Sequence, residues 1–240
     1  MRRDLISSAL AIVVFTILLG LAYPLVTTGL AQLLFPNKAD GSRIERGGEV
    51  VGSRLIGQEF QRPVLGRDGK PRQDAEGNPV LVPDPRYLQS RPSVTGYNPA
   101  GTFFNNLGPN QAELRDLFRD NLAAYLERER PANPGLTAAD IPVDAVTTSG
   151  SGVDPHISEA NARIQARRVA RARRLPLERV HKLIEQSTDG RALGFLGEPG
   201  VNVLEANLAL DEVATRSRAA LERSEQERRS RNAAPESERG

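Results

Sequence analysis

The chain has no cysteine and no tryptophan, and only two histidines among its 240 residues. Without cysteine there can be no disulfide, no thiolate-held metal and no thiol nucleophile. The two histidines, His156 and His181, stand alone, without the spacing of a metal-ligand set. No G-x-x-x-x-G-K-[ST] phosphate loop occurs, and neither of the serine-nucleophile motifs G-x-S-x-G and S-x-x-K is present. Charge of one sign is also missing: 32 Lys and Arg against 30 Asp and Glu leave a net charge of +2, so the pI near 9.2 says little about anionic partners.

What the chain does have is one long uncharged run. From Leu5 to Asn37 no residue is ionisable as an acid or base of the Asp, Glu, Lys, Arg or His type. About 20 apolar residues suffice to cross the hydrocarbon core as a helix, so residues 1–37 read as a membrane anchor with its flanks. A cleavable signal peptide has a shorter apolar core, about 7–15 residues, which favours a retained anchor. Pro24, deep in the run, predicts a kink or a broken turn. Arg2 and Arg3 precede the span, and a basic N-terminal flank favours the cytoplasm. That places the main domain outside the cytoplasm, on a single-pass protein of the cell (inner) membrane.

Residues 38–49 read as a polar linker and 50–211 as an extracytoplasmic α+β domain, several helices with a small sheet of short strands. Strands are expected at Val50–Val51 and Leu55–Phe60. The stretch 62–85 is crowded with Asp-Gly, Glu-Gly-Asn and Pro and reads as an exposed hairpin excursion. Leu114, Leu117, Phe118, Leu122, Tyr125 and Leu126 lie at helical spacing, with Asn110 as N-cap and Glu113 completing a capping box. A short strand is expected over Val143–Thr147. Ser158 is placed as the N-cap of a helix reaching about Arg174, and Pro176 opens another that ends near Gln186. "GEPG" reads as a turn, and the alternation of Leu204, Ala206, Leu208 and Leu210 as a half-buried strand. The tail 212–240 holds seven Arg and six Glu with few large apolar residues. It is expected to be disordered or, at most, a marginal exposed helix.

Candidate chemistry is sparse. Asp154 and His156, with Ser149 and Ser151 nearby, contain the residue types of a hydrolase triad, but triad members meet from separate elements. A capped turn leading into a helix explains the same residues. His181 reads as a packing or surface residue. The stretch "ARIQARRVARARRLPLERVHK" carries seven Arg and one Lys against one Glu, with no aromatic interleaved for base stacking, so nucleic acid is not the expected partner. A solvated helix face or a docking surface is expected there. No catalytic, cofactor-binding or metal-ligating residue is assigned.

Several longer stretches carry a resemblance. "GSRLIGQEF", "YLQSRPSVTGYNP", "NLGPNQAEL", "IPVDAVTTSGSGVDPHIS" and the run from "DPHISEANARIQ" to "GEPGVNVLEANLALD", together with "FTILLGLAYPLVTTGLAQLLFP" in the anchor, occur in order along residues 1–211. In these the chain resembles the C subunit of the high-affinity potassium-transporting ATPase, the Kdp system. The resemblance implies a single-span accessory subunit in a complex with three others: a channel-like potassium-translocating subunit, a P-type ATP-hydrolysing subunit and a small stabilising membrane subunit. It also implies a role described for the family as a catalytic chaperone that raises ATP affinity, with a structural role shaping potassium access as the simpler alternative. ATP and Mg would then be used by the hydrolysing partner, since this chain lacks the D-K-T-G-T sequence of that subunit. Where the family has a Gly/Ser-rich run, this chain has "GTFFNNL", Gly101 to Leu107.

Overall fold

The computed structural model of the chain describes residues 1–101, 103 and 105–233. They divide into two compact units, Met1–Leu55 and Ile56–Gly240.

In the first unit, α1 (Arg2–Ile17) runs into a wide π turn (Leu18–Ala22) and on into α2 (Tyr23–Leu34), a continuous helical run of 33 residues. At 1.5 Å per residue this is about 50 Å long, more than the ~30 Å of a bilayer core. None of its residues is buried within the chain. The wide turn has a local cause. Pro24 has no N–H to offer residue 20 and its ring crowds that carbonyl. Widening the turn lets the Tyr23 N–H reach the Leu18 carbonyl five residues back. A one-turn helix α3 (Pro36–Ala39) follows, then an antiparallel hairpin of β1 (Arg43–Arg46) and β2 (Glu49–Ser53). Gly47 and Gly48, at φ 62° and 86°, supply the two left-handed residues of its tight turn. Val50 and Val51 therefore lie in a strand as expected, but its partner precedes it, and Leu55–Phe60 forms no strand.

The second unit opens with β3 (Gln61–Pro63) paired to β4 (Leu81–Pro83), the stem of the expected excursion. Beyond the stem the chain folds into two small loops, closed by bridges Leu65–Pro71 and Gln73–Pro79. After a stretch of turns and irregular backbone comes α4 (Ala112–Glu129), whose N-cap position is Gln111, one residue later than expected and without a side-chain cap hydrogen bond, so the expected Asn110–Glu113 capping box does not form. Two 3-10 turns follow, Ala138–Asp140 and Val143–Ala145. Then come β5 (His156–Ile157), α5 (Glu159–Arg173), α6 (Leu177–Gln186), β6 (Thr188–Asp189), β7 (Gly200–Asn202) and α7 (Val203–Ala233). The three short strands form an antiparallel sheet in the order β5-β7-β6. The expected N-cap is in place, with Ser158 Oγ accepting from the Asn161 N–H at 3.1 Å. The core lies between α5, α6, the sheet and the start of α7; Ala162, Ala166, Val169, Val180, Val201, Val203 and Leu210 are fully buried.

Besides Leu55–Phe60, two further expected strands are corrected. Val143–Thr147 is a 3-10 turn, because the Val146 and Thr147 N–H groups both donate to the Val143 carbonyl. That turn aims Asp144 at the start of α5, where its carboxylate accepts from Ser158 N at 2.8 Å, Ser158 Oγ at 2.7 Å and Asn161 Nδ2 at 2.9 Å. The alternation at Leu204–Leu210 is likewise not a strand. The β-structure stops at Asn202, whose side chain accepts from Glu205 N at 3.1 Å and begins α7. The buried positions among the described residues of the helix are Val203, Leu204, Ala206, Asn207 and Leu210, a stripe at helical spacing. The alternation is misleading because Asn207, polar but 1% exposed, occupies a place that period two assigns to the solvent face. The tail question divides: α7 continues to Ala233, and residues 234–240 lie outside the described residues.

Asn207 sits in the core because it pairs with backbone. Its Oδ1 accepts from Leu88 N at 2.8 Å and its Nδ2 donates to Leu88 O at 2.9 Å. Replacing Asn207 with Ala strands both groups of a fully buried residue, at a cost of about 2–4 kcal/mol. Urea unfolding of the full chain in detergent, followed by circular dichroism, measures this loss.

Candidate functional site

The segment Asp84–Arg91 ("DPRYLQSR") turns at Pro85–Arg86 and crosses the domain without joining a strand. Its polar backbone groups must still be satisfied where they are buried. Asn207 serves Leu88 in this way. Gln165, on α5, serves Gln89: its Oε1 accepts from Gln89 N at 2.7 Å and its Nε2 donates to Gln89 O at 3.0 Å. Each amide presents one donor and one acceptor, which matches the two backbone groups of a residue in a ladder.

Arg168, one turn further along α5, extends the same arrangement. Its Nη1 donates to Pro85 O at 2.7 Å and Tyr87 O at 2.9 Å, its Nη2 to Gln165 Oε1 at 2.9 Å, and its Nε to both carboxylate oxygens of Glu129 at 3.0 and 3.1 Å. Glu129 ends α4 and is fully buried; Arg128 beside it donates to Oε1 at 2.9 Å and stacks over the Tyr125 ring at 5.0 Å. Tyr125 in turn donates to Asn161 Oδ1 at 2.8 Å. Burial pushes the Arg168 guanidinium below its usual value, opposed by the neighbouring Glu129 carboxylate. Burial, reinforced by Glu129, pushes the Tyr125 phenol well up, so it remains a donor. Arg173 follows with its side chain almost fully covered, donating to Arg86 O at 2.6 Å and Asp211 Oδ1 at 2.8 Å while lying 4.6 Å over the Tyr87 ring.

The Arg-rich stretch is therefore not simply a solvated face. Arg168 and Arg173 are structural, while Arg163, Arg167 and Arg171 remain exposed. Sequence spacing did carry a signal: Asn161, Gln165 and Arg168 fall at i, i+4 and i+7, on one helix face with Ala162 and Val169. Glu129 likewise lies four residues beyond Tyr125, on the apolar face of α4.

The residues weighed as a triad have other hydrogen-bond partners in the structure. His156 Nε2 lies 3.0 Å from Asp189 Oδ2, across the sheet, and Nδ1 lies 3.8 Å from Asp154 Oδ1. Ser149 Oγ accepts from Gly152 N at 2.9 Å and Ser151 Oγ from Val153 N at 3.2 Å, so both hydroxyls are occupied in their own turn. Asp154 pairs with Arg91 Nη1 at 3.0 Å, and Arg91 Nη2 reaches Thr147 Oγ1 and Thr148 O, each at 3.2 Å. Tyr97 closes this corner by donating to Arg91 O at 2.7 Å, its phenol pushed up to about 12 by burial. Gly57 is required here, since a Cβ would fall 2.6 Å from Asp154 O and against the Tyr97 ring. His181 is half-buried on the outer side of α6, beside Glu159, Arg163 and Glu185.

Comparison with known proteins gives one answer. A family model described as "K+-transporting ATPase, c chain" matches residues 5–212. The potassium-transporting ATPase KdpC subunit of Methylobacterium nodulans is 49% identical over 202 residues, covering 84% of this chain and 93% of that one. The subunits of that name from Koribacter versatilis and Rhodospirillum rubrum are 43% and 45% identical, each over 88% of this chain and over 95% and 97% of their own.

Two measurements test the network. Arg168→Met leaves a buried carboxylate without its main partner and is expected to cost about 3–5 kcal/mol. Adding Glu129→Met regains the part of that loss due to the uncompensated charge, read as a positive coupling between the two substitutions in urea unfolding. The second test is pH. Burial alone would raise the Asp84 carboxyl, but side-chain and backbone hydrogen bonds from Arg86 outweigh it and hold the carboxyl below 3.8. A lowered folded-state value adds stability above the unfolded value and loses it as pH falls through the folded one. The melting-temperature gap between wild type and Asp84→Asn, open at pH 6, should therefore close as pH drops below about 4.

Proposed function

The chain belongs to the family of K+-transporting ATPase c chains, and from that premise we propose that it is an accessory subunit which works by assembly, holding its partners through one membrane helix and a folded extracytoplasmic domain. The partners of this reading are a channel-like potassium-translocating subunit, a P-type ATP-hydrolysing subunit and a small stabilising membrane subunit. The observation that carries it is the 33-residue apolar helix, whose side chains find no burial within the chain itself. A helix of this kind is covered by lipid and by neighbouring helices. It carries an apolar groove lined by Ala11, Ile12, Phe15, Thr16, Leu19 and Gly20, and small residues allow membrane helices close approach.

The domain supports the same reading. The side chains that would suggest chemistry in the sequence have partners of their own: Ser149 and Ser151 accept within their turn, Asp154 accepts from Arg91 and His156 pairs with Asp189. On its surface the β6–β7 loop displays Leu193 and Phe195, 83% and 68% exposed, above an Arg191–Glu198 ion pair at 2.7 Å. An apolar tip set on a neutralised stem suits contact with a protein surface. With Arg2 and Arg3 keeping the N-terminus in the cytoplasm, the domain and cytoplasmic ATP lie on opposite sides of the membrane. Any rise in ATP affinity then comes through the membrane parts of the partners, as a bias on their conformational equilibrium.

The test is purification of the tagged full chain from gently solubilised membranes of potassium-starved cells, with mass identification of what accompanies it. Recovery with a P-type ATPase and a large channel-like protein is expected, and Gly20→Leu should reduce it by several fold. A chain recovered alone would overturn the reading.

A further inference from the structure

At the wide turn of the membrane helix the backbone ladder is left open. The Tyr23 N–H donates to the Leu18 carbonyl, five residues back. The next residue, Pro24, has no N–H to give. The Leu19 carbonyl therefore lacks both the donor of an α turn, which would be Tyr23, and that of a π turn, which would be Pro24. Gly20 loses its α donor, Pro24, as well. Leu19 lies near the middle of the 33-residue apolar run, where lipid tails offer no donor and an unmet backbone group is costly. A hydroxyl three or four residues further on can repair such a gap, and one turn later it does: Thr27 Oγ1 donates to the Tyr23 carbonyl. The corresponding positions beyond Leu19 are Ala22 and Tyr23, which have no side-chain donor within that reach. The backbone is also bare at this point. A Cβ on Gly20 would meet nothing nearer than Thr16 Cγ2 at 3.9 Å, so packing within the chain does not call for a glycine. Leu19 and Gly20 line the same apolar groove as Phe15 and Thr16.

We infer that the Leu19 carbonyl is the docking point for a hydrogen-bond donor on a neighbouring membrane helix: the hydroxyl or carboxamide of a serine, threonine, asparagine or glutamine. A charged donor would carry its own cost into the hydrocarbon. Gly20 and Ala22 allow the neighbour's backbone a close approach, so a short side chain reaches the carbonyl. The inference rests on the reading of this helix as a membrane segment that holds partners, and it adds the chemistry of one contact.

The test gives the carbonyl a donor from its own chain. Tyr23→Thr puts a hydroxyl four residues beyond Leu19, the spacing at which Thr27 serves Tyr23. Tyr23→Val has the same shape without the hydroxyl. Tagged full chains of wild type and both variants are purified from gently solubilised membranes of potassium-starved cells, and the accompanying membrane proteins are quantified by mass spectrometry per mole of tagged chain. Tyr23→Thr should bring down about three- to tenfold less partner than Tyr23→Val, the worth of one interhelical hydrogen bond. Should Tyr23 itself be needed, so that neither variant brings partners, Ala22→Ser against wild type decides. It makes the same comparison from three residues beyond Leu19, the spacing at which Thr27 reaches Pro24 O at 3.2 Å, and the same loss is expected. Equal recovery in the deciding comparison, or more from the hydroxyl variant, overturns the inference and leaves the accessory-subunit reading standing. Wild-type chain recovered alone overturns both.

Discussion

A chain segment that runs through the interior of a domain without joining a sheet has to find partners for its backbone elsewhere, and the second unit of this protein is arranged around that constraint. Leu88 is fully buried, so its N–H and carbonyl have no water to turn to. Asn207 and Gln165 take the place of neighbouring strands, each engaging both backbone groups of one residue. Arg168 then gathers the carbonyls of Pro85 and Tyr87, and its own charge requires Glu129. Glu129 fixes where α4 ends against α5, and Tyr125 ties α4 to Asn161. One segment outside any sheet thus dictates the identity of polar residues on three helices.

This dependence explains which parts of the fold were legible beforehand. Helices α4, α5 and α6 announce themselves through apolar spacing and, for α5, through Ser158, because in those stretches local preference and burial agree. The excursion at 62–85 is equally readable, since Asp-Gly and Glu-Gly-Asn turns need no tertiary partner. The start of α7 was misread because Asn207 is polar and yet buried, and no pattern rule assigns a buried face to an asparagine whose partner lies 119 residues away. Arg168 was hidden in the same manner among exposed arginines. Val143–Thr147 failed for another reason: its β-branched residues favour a strand, but Asp144 is needed as a cap for a helix fourteen residues on.

The same accounting bears on how this subunit relates to chemistry. Its most suggestive residue types were histidine, aspartate and serine in one short stretch, and the structure spends the serines on a turn, the aspartate on Arg91 and the histidine on Asp189. In this member of the K+-transporting ATPase c chain family, the polar side chains named above hold the Asp84–Arg91 segment and the corner around Asp154 in shape.

The wide turn at Leu18–Ala22 has its own consequence for the membrane helix. A π turn accommodates one residue more than an α turn, so the two halves of the helix are out of phase by one position, about 100° of rotation. A side-chain stripe that begins at Ala11 and Phe15 does not continue along the residues that seven- or eleven-residue spacing would nominate beyond Pro24. The helix offers one azimuth to its surroundings in one leaflet and another in the other. A single transmembrane segment can in this way address two different neighbours, each seeing a regular helix.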